Sequence, residues 1–321
     1  AGAENTWNDY VDHHPLATSA HAAQWKRLIE RVFGKECHYL QAVAGDKLVG
    51  VLPLVHMRSR LFGNFMVSVP YVNYGGVLAD SAEVSQLLLR EASRLATSLG
   101  AGSVEYREQD QREQDQRQGE APCRTDKVAM ILDLPATEEA LAKQLGSKLR
   151  SQIKRPQREN PEARLGREEL LDDFYKVFAR NMRDLGTPVY SRELFRSVLR
   201  EFASSYLIVI FLQGRPVSAA LLLGYRDMLE VPWASTSDEV NHLSMNMLLY
   251  WEVLRSAVAR GYRRFDFGRS TADAGTYRFK KQWGAQPKQL YWYYDLVNGG
   301  QMPNLNPDNP KYQLVLRAWQ K

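Results

Sequence analysis

One order of elements can be read twice along this 321-residue chain. It runs helix, two-strand hairpin, third strand, long helix closed by glycine, short strand, final strand. In the first pass, residues 21–33 place Trp25, Leu28, Ile29 and Val32 on one helical face. Residues 37–44 and 47–56 read as strands around the turn Ala44-Gly45-Asp46. Residues 65–69 form a third strand, residues 84–99 a helix stopped by Gly100, and residues 103–106 and 128–132 two more strands. In the second pass, helices over 172–184 and 192–202 precede strands at 206–213 and 216–225, joined by Gly214-Arg215. A strand at 228–234, a helix at 243–260 ending at Gly261, a short strand at 264–267 and a final strand at 289–296 complete it, with a short helix at 276–283. A repeated order of this kind predicts two copies of one α/β fold, α+β layered, with mixed, mostly antiparallel sheets flanked by helices.

Between the copies, Thr137 caps a helix expected to run to about Ile153, and Pro156 should kink or end it. The expected domains are therefore residues 1–136 and 161–321, joined by a basic linker helix over 137–160. Residues 107–120 hold Arg-Glu-Gln-Asp-Gln twice in tandem and no large apolar side chain, which predicts a solvated loop.

Hydrophobic residues make up 44% and charged residues 25%, which excludes a mostly disordered chain. The longest apolar runs fall far short of the ~20 residues of a membrane helix. Cys37 and Cys123 are the only cysteines, too few for a disulfide framework or a four-cysteine zinc site. With no charged-then-apolar leader at the start, the expectation is a reduced, soluble, cytoplasmic protein, free or at a membrane surface. The net charge of +5 is uneven: residues 143–167 carry eight Lys/Arg against two acids, and residues 255–288 nine against two. Such segments favour polyanions such as nucleic acid, nucleotide diphosphates or an anionic membrane.

Four of the six histidines, His13, His14, His21 and His38, are read as lying near the start of the chain without matching cysteine or carboxylate spacing, and His56 and His242 are isolated, so no metal site is expected. No Gly-x-Ser-x-Gly, Cys-His pairing or phosphate loop is present, which argues against a covalent acyl-enzyme and against ATP chemistry.

Two stretches are more specific. Gly261-Tyr262-Arg263-Arg264-Phe265-Asp266-Phe267-Gly268-Arg269-Ser270, followed by Gly275-Thr276-Tyr277-Arg278-Phe279-Lys280-Lys281-Gln282-Trp283-Gly284-Ala285, resembles the C-terminal signature of FemAB-like proteins. These are tandem-GNAT peptidyltransferases related to the enzymes that build peptidoglycan cross-bridges. Val69-Pro70-Tyr71-Val72-Asn73-Tyr74-Gly75-Gly76 resembles the substrate loop of their first domain. The stretch from Asn181 to Tyr190 resembles the subgroup found beside bacterial exopolysaccharide and PEP-CTERM sorting systems.

The resemblance implies two tandem GNAT-like domains and direct attack of an amine on an activated acyl group. The donor would be an aminoacyl-tRNA or an acyl-CoA, used as co-substrate with no permanently bound cofactor. The acceptor would be a polyanionic, nucleotide-linked or envelope precursor, met in a cleft between a donor-side second domain and an acceptor-side first domain. Lys280 would sit near the donor's ester end and stabilise the oxyanion. Asp266, at a strand end before Gly268, could orient the amine or take its proton. Glu230 stands on the strand where GNAT enzymes often carry a general base. Phe279, Trp283, Arg269, Arg278 and Tyr277 fall on the donor side. Tyr71, Asn73, Tyr74, Arg183 and Tyr190 fall on the acceptor side. Lys148, Arg150, Lys154 and Arg155 are the expected phosphate or tRNA contacts. Residues 238–246 lack the glycines with which acetyl-CoA enzymes cradle pyrophosphate, which counts against CoA. Two rivals remain: an acyltransferase that uses acyl-CoA or an acyl carrier, and a non-catalytic module that binds envelope precursors or RNA.

Overall fold

The computed structural model describes residues 2–59, 63–110 and 121–302. Its elements, in chain order, begin with α1 (Gly2–His13), α2 (Gln24–Phe33), β1 (Glu36–Ala44), β2 (Lys47–Ser59), β3 (Gly63–Val67), β4 (Leu78–Ala79), α3 (Ala82–Ser98), β5 (Ser103–Glu108) and β6 (Cys123–Arg124). There follow β7 (Lys127–Asp133), α4 (Glu138–Gln144), α5 (Ser147–Gln157), β8 (Glu162–Gly166), α6 (Leu171–Asp184) and α7 (Arg192–Glu201). The last are β9 (Ser205–Leu212), β10 (Arg215–Tyr225), β11 (Met228–Thr236), α8 (Met245–Ala259), β12 (Arg264–Thr271), α9 (Gly275–Lys281), β13 (Gln286–Gln289) and β14 (Tyr291–Leu296).

Two seven-stranded mixed sheets result. The first has the order β1-β2-β3-β5-β14-β6, with β4 paired to β2; the second runs β13-β7-β12-β11-β10-β9-β8. Residues 2–128 with 288–302 form one unit and residues 129–287 the other. Each sheet contains the repeated motif: a hairpin (β1-β2, β9-β10), a third antiparallel strand (β3, β11), a helix (α3, α8), and then a strand parallel to the third (β5, β12). The α/β fold class is as the sequence predicts. In the first unit α3 buries Leu88, Leu89, Ala92 and Ala96 against Leu52, Leu54, Met66, Val104 and Tyr106 of the sheet. It stops where expected, since Gly100 takes φ +65, which costs glycine little.

Several local expectations are corrected. The strand read at 128–132 lies in the second sheet as β7, and the strand read at 289–296 divides into β13 in the second sheet and β14 in the first. The docking of β14 is chemically specific. Tyr294 donates to buried Glu105 at 2.7 Å, while Asp295 accepts from Ser93 at 2.6 Å and Tyr106 at 3.2 Å. Those partners are 189 to 202 residues away in the chain, beyond any local pattern. The helix read from Thr137 to Ile153 is two helices. Thr137 caps α4 through the Ala140 N–H, but Leu145 and Gly146 are extended and α5 starts anew. Pro156 lies inside the last turn of α5, one residue before its end, so it terminates the helix later than expected. The short strand expected to end at Gly268 continues to Thr271. Of the stretch read as a solvated loop, Arg107 and Glu108 belong to β5; residues 111–120 lie outside the described residues.

The loop after β3 is held by buried polar groups. The Thr18 N–H donates to Nδ1 of His21 at 3.1 Å, so the ring's hydrogen is on Nε2, which donates to the Gly76 carbonyl at 3.1 Å. The Arg107 guanidinium donates to the carbonyls of Val69 and Val72 and stacks 4.5 Å over Trp292. Gly75 and Gly76 permit the close approach. A Cβ at Gly75 would meet the Val69 side chain at 2.7 Å, and one at Gly76 would meet Glu108 at 2.4 Å.

Burial pushes the His21 pKa down from 6.5 to about 4. Folding therefore favours the neutral ring, and this stability is complete above pH 6.5 and lost as pH falls through about 4. At 1.36 kcal/mol per pKa unit the loss is about 3 kcal/mol. Urea unfolding of wild type across that pH range should show it, and His21→Gln should remove most of the slope. An unchanged slope in the variant would mean that His21 binds its proton equally well folded and unfolded.

Candidate active site

Parallel strands β11 and β12 pair only at Met228–Arg264, Leu229–Phe265 and Glu230–Asp266. Beyond that point β11 continues to Thr236 on the side of β10 alone. Two side chains and one glycine hold β12 as it departs. Asp266 is fully buried, and its Oδ1 accepts the N–H of Gly268 at 2.7 Å. Gly268 takes φ +76, the left-handed region that a glycine enters without steric cost. Lys280, at the end of α9 and only 8% exposed, donates through Nζ to the carbonyls of Gly268 at 3.0 Å and Arg269 at 2.8 Å. Both sides of the Gly268 peptide are thus anchored by charged groups. Desolvation lowers the Lys280 pKa to about 8, although the neighbouring Asp266 carboxylate opposes the drop.

In the second unit a cavity of about 250 Å³ is lined by Asn181 of α6, Ala234, Ser235 and Thr236 at the end of β11, Asp238 and Asn241 of the following turn, Asn246, Leu249 and Tyr250 of α8, and Phe279 of α9. Asn181 donates to Ser235 Oγ at 3.1 Å. Tyr250 packs edge-on to Phe279 at 5.0 Å and stacks on Phe267 at 5.5 Å, and burial pushes its phenol up to about 12. It therefore remains a protonated donor at neutral pH. Two further buried polar atoms, Ser270 Oγ of β12 and Trp283 Nε1 just past α9, have no hydrogen-bond partner among the described residues.

The residues singled out from sequence divide between this region and others. Phe279 lines the cavity, with Trp283 buried against it. Lys280, Asp266 and Glu230 are not among the lining residues. Asp266 and Lys280 shape the backbone of β12, and Glu230 is half-buried opposite Asp266. Arg269 and Arg278 are exposed, Arg278 donating to the Asp273 carbonyl at 2.6 Å; Lys281 lies 5.6 Å over the Tyr277 ring. Arg183 is exposed at the end of α6, whereas Tyr190 packs against Phe178 and Trp233. In the first unit Tyr74 lines a cavity of about 410 Å³ with His14, His21, Gly76 and Arg107. Tyr71 turns elsewhere, stacked on Phe33 at 4.1 Å, and half-buried Asn73 is not among the lining residues. Lys148, Arg150, Lys154 and Arg155 are exposed along α5, where Arg150, Lys154, Arg155 and Arg158 border a groove of about 480 Å³.

Sequence reasoning missed Tyr250 and the polar end of β11. Tyr250 sits in an apolar helical run whose periodicity reads as core, so only its position beside Phe279 distinguishes it. It also missed that Glu36, His38 and His56 come together, with one ligand atom from each within 4.8 Å of the others.

Residues 147–281 match a family model described as an acetyltransferase (GNAT) domain. The chain is similar over 98% of its length to 98% of the crystal structure of FemX, with a TM-score of 0.66 and 14% identity. Over 91% of its length it matches 92% of a C-terminal domain of a putative lysylphosphatidylglycerol synthetase from Agrobacterium fabrum, TM-score 0.60 and 12% identity. A tandem GNAT protein from the clavulanic acid biosynthesis pathway is similar at TM-score 0.57 and 11% identity, covering 93% of this chain and 96% of that one. A search of curated proteins finds no match to the sequence. At these identities the likeness establishes the fold alone, two tandem GNAT-like units.

Burial of Lys280 makes a measurable demand on stability. Below pH 8 folded and unfolded chains both carry the charge; between about 8 and 10.5 the unfolded chain binds the extra proton, so this lysine makes stability rise with pH. The rise approaches about 3 kcal/mol. Urea unfolding of wild type against Lys280→Met should give a difference that grows in favour of wild type across that range. A flat difference would show that the lysine is not desolvated in the fold.

Proposed function

We propose that this chain is an N-acyltransferase that holds its activated acyl donor in the second unit, where β12 parts from β11. The observation that carries the reading is the anchored bend at Gly268, with Lys280 buried behind it and a cavity walled by Tyr250 and Phe279 in the same unit. The acyl carbon is attacked directly by an amine. The new C–N bond forms as the ester C–O bond breaks. The Tyr250 phenol gives its proton to the leaving oxygen and recovers one from the attacking nitrogen. Lys280, committed to the carbonyls of Gly268 and Arg269, holds the bend and places its positive charge behind the strand at which the oxyanion develops. Asp266 acts as a positioning residue, since its Oδ1 is engaged by the Gly268 N–H.

An aminoacyl ester on tRNA fits the donor side better than a CoA thioester. The turn before α8 carries Asp238 and Glu239, and Asp238 lines the cavity, so negative charge stands where a pyrophosphate would need helix amides. The groove along α5, bordered by four basic side chains, suits a polyanion. The acceptor is an amine on a nucleotide-linked or envelope precursor, gripped by the first unit through the cavity around Tyr74. The exopolysaccharide setting follows from the resemblance of residues 181–190 alone. An acyl-CoA donor is the second reading, favoured by the GNAT-domain match over residues 147–281.

Thermal shift and mass spectrometry with charged tRNA, uncharged tRNA and acyl-CoAs separate these readings. Stabilisation by charged tRNA, with transfer of its aminoacyl group to an added amine, is expected. Stabilisation by an acyl-CoA alone would overturn the tRNA donor, and no turnover with either would leave a binding module. In the active system Tyr250→Phe should lower kcat by on the order of 10²-fold. Lys280→Arg should also be impaired, because placement matters as well as charge. Wild-type rates in Lys280→Arg would remove Lys280 from the chemistry.

A further inference from the structure

A cluster in the first unit shares no residue with either cavity described above. Glu36 and His38 lie two residues apart on β1, which puts them on one face of the strand. His56 of β2 is directly opposite Glu36 in the antiparallel ladder. Nε2 of His38 approaches Oε1 of Glu36 at 3.4 Å, and Nδ1 of His56 approaches Oε2 at 3.9 Å. The rings tilt at 53° with centroids 6.4 Å apart.

The tautomer of His56 follows from its neighbours. The Asn64 amide nitrogen donates to the carbonyls of Leu99 at 3.1 Å and Gly100 at 2.9 Å. Its oxygen, an acceptor only, therefore faces His56 Nε2 at 2.6 Å. Nε2 must carry the hydrogen, and in the neutral ring Nδ1 directs a lone pair toward the Glu36 carboxylate. Nε2 of His38 is buried and makes no hydrogen bond among the described residues. Two imidazole nitrogens and a carboxylate oxygen thus converge with no hydrogen bond between them. A lone pair facing a carboxylate is repulsive unless a proton or a metal cation lies between them.

We propose that Glu36, His38 and His56 bind one borderline divalent transition-metal ion of the zinc class. Two imidazoles and one carboxylate suit zinc rather than calcium or magnesium, which take all-oxygen shells. Metal–ligand bonds of about 2.0–2.1 Å in a tetrahedron put ligand atoms roughly 3.3 Å apart. The His38–Glu36 separation of 3.4 Å already fits, the exposed Glu36 side chain can close on His56, and the three ligand atoms, within 4.8 Å of one another, need the half-buried His38 ring to turn by a small amount toward His56. Solvent on the Glu36 side supplies a water as fourth ligand. The Asn64–His56 hydrogen bond orients the buried ring, a partner that ligating histidines characteristically have. The ion would tie the start of β1 to β2.

Chelator-treated full-length chain, without a polyhistidine tag, is titrated with Zn²⁺ against a chromophoric competitor, and with Co²⁺ followed by its visible absorption. One equivalent should bind, with the intense bands of four-coordinate cobalt. Glu36→Gln and His38→Gln, at exposed and half-buried positions, should each weaken binding at least tenfold while leaving the circular dichroism unchanged. Asn64→Ala should weaken it by on the order of 10-fold or more, whereas His13→Gln should leave it unaltered. Absence of stoichiometric binding in wild type, or equal affinity in Glu36→Gln and His38→Gln, would overturn the site.

Discussion

A sheet can admit a ligand into its edge-to-edge hydrogen bonding only where two neighbouring strands separate. In the second unit that separation follows the Glu230–Asp266 pair, and the arrangement of the site depends on holding β12 away from β11. The released backbone would otherwise leave buried peptide groups unsatisfied, at a cost of about 1–3 kcal/mol each. Asp266 takes the N–H of Gly268, and Lys280 takes the carbonyls of Gly268 and Arg269. A buried ammonium is itself costly, as the lowered Lys280 pKa records, and the nearby Asp266 carboxylate offsets part of that cost. The same two residues that a motif would label catalytic are therefore first the supports of the strand.

The first unit meets the same constraint with different chemistry. Its parallel pair, β3 and β5, joins only at Met66–Val104 and Val67–Glu105 before the chain leaves into the loop of residues 68–77. Here a neutral histidine and an arginine hold the loop carbonyls, His21 at Gly76 and Arg107 at Val69 and Val72. Both units thus pin a departing backbone with buried side chains. One uses an acid and a lysine, the other an imidazole and a guanidinium. The first cavity is bordered by His14, His21 and Arg107 together with Glu108 and Asp110, the second by hydroxyl, amide and aromatic groups together with Asp238.

The order of elements was legible because hydrophobic periodicity and glycine stops are local. The α3 helix ending before Gly100 and the β9–β10 hairpin through Gly214 stand where the pattern puts them. The destination of the strands was not legible. Residues 291–296 read as a strand from Tyr-Trp-Tyr-Tyr, but their sheet is chosen by Tyr294 meeting Glu105 and Asp295 meeting Ser93. The site was legible in part. Phe279 and Trp283 emerged from a motif, whereas Tyr250 was hidden in an apolar helix and the stacking of Tyr71 on Phe33 joins residues far apart in the chain.

By itself the sequence determined the repeated α/β architecture, the basic face of α5 and the glycines at which the chain must bend, because each depends on neighbours within a few turns of backbone. Only the tertiary structure decided that Lys280 is buried against two carbonyls, that β14 completes the first sheet, and that Glu36, His38 and His56 meet across a strand ladder. Those outcomes arise from pairing register and from desolvation, and both are set by residues far away along the chain.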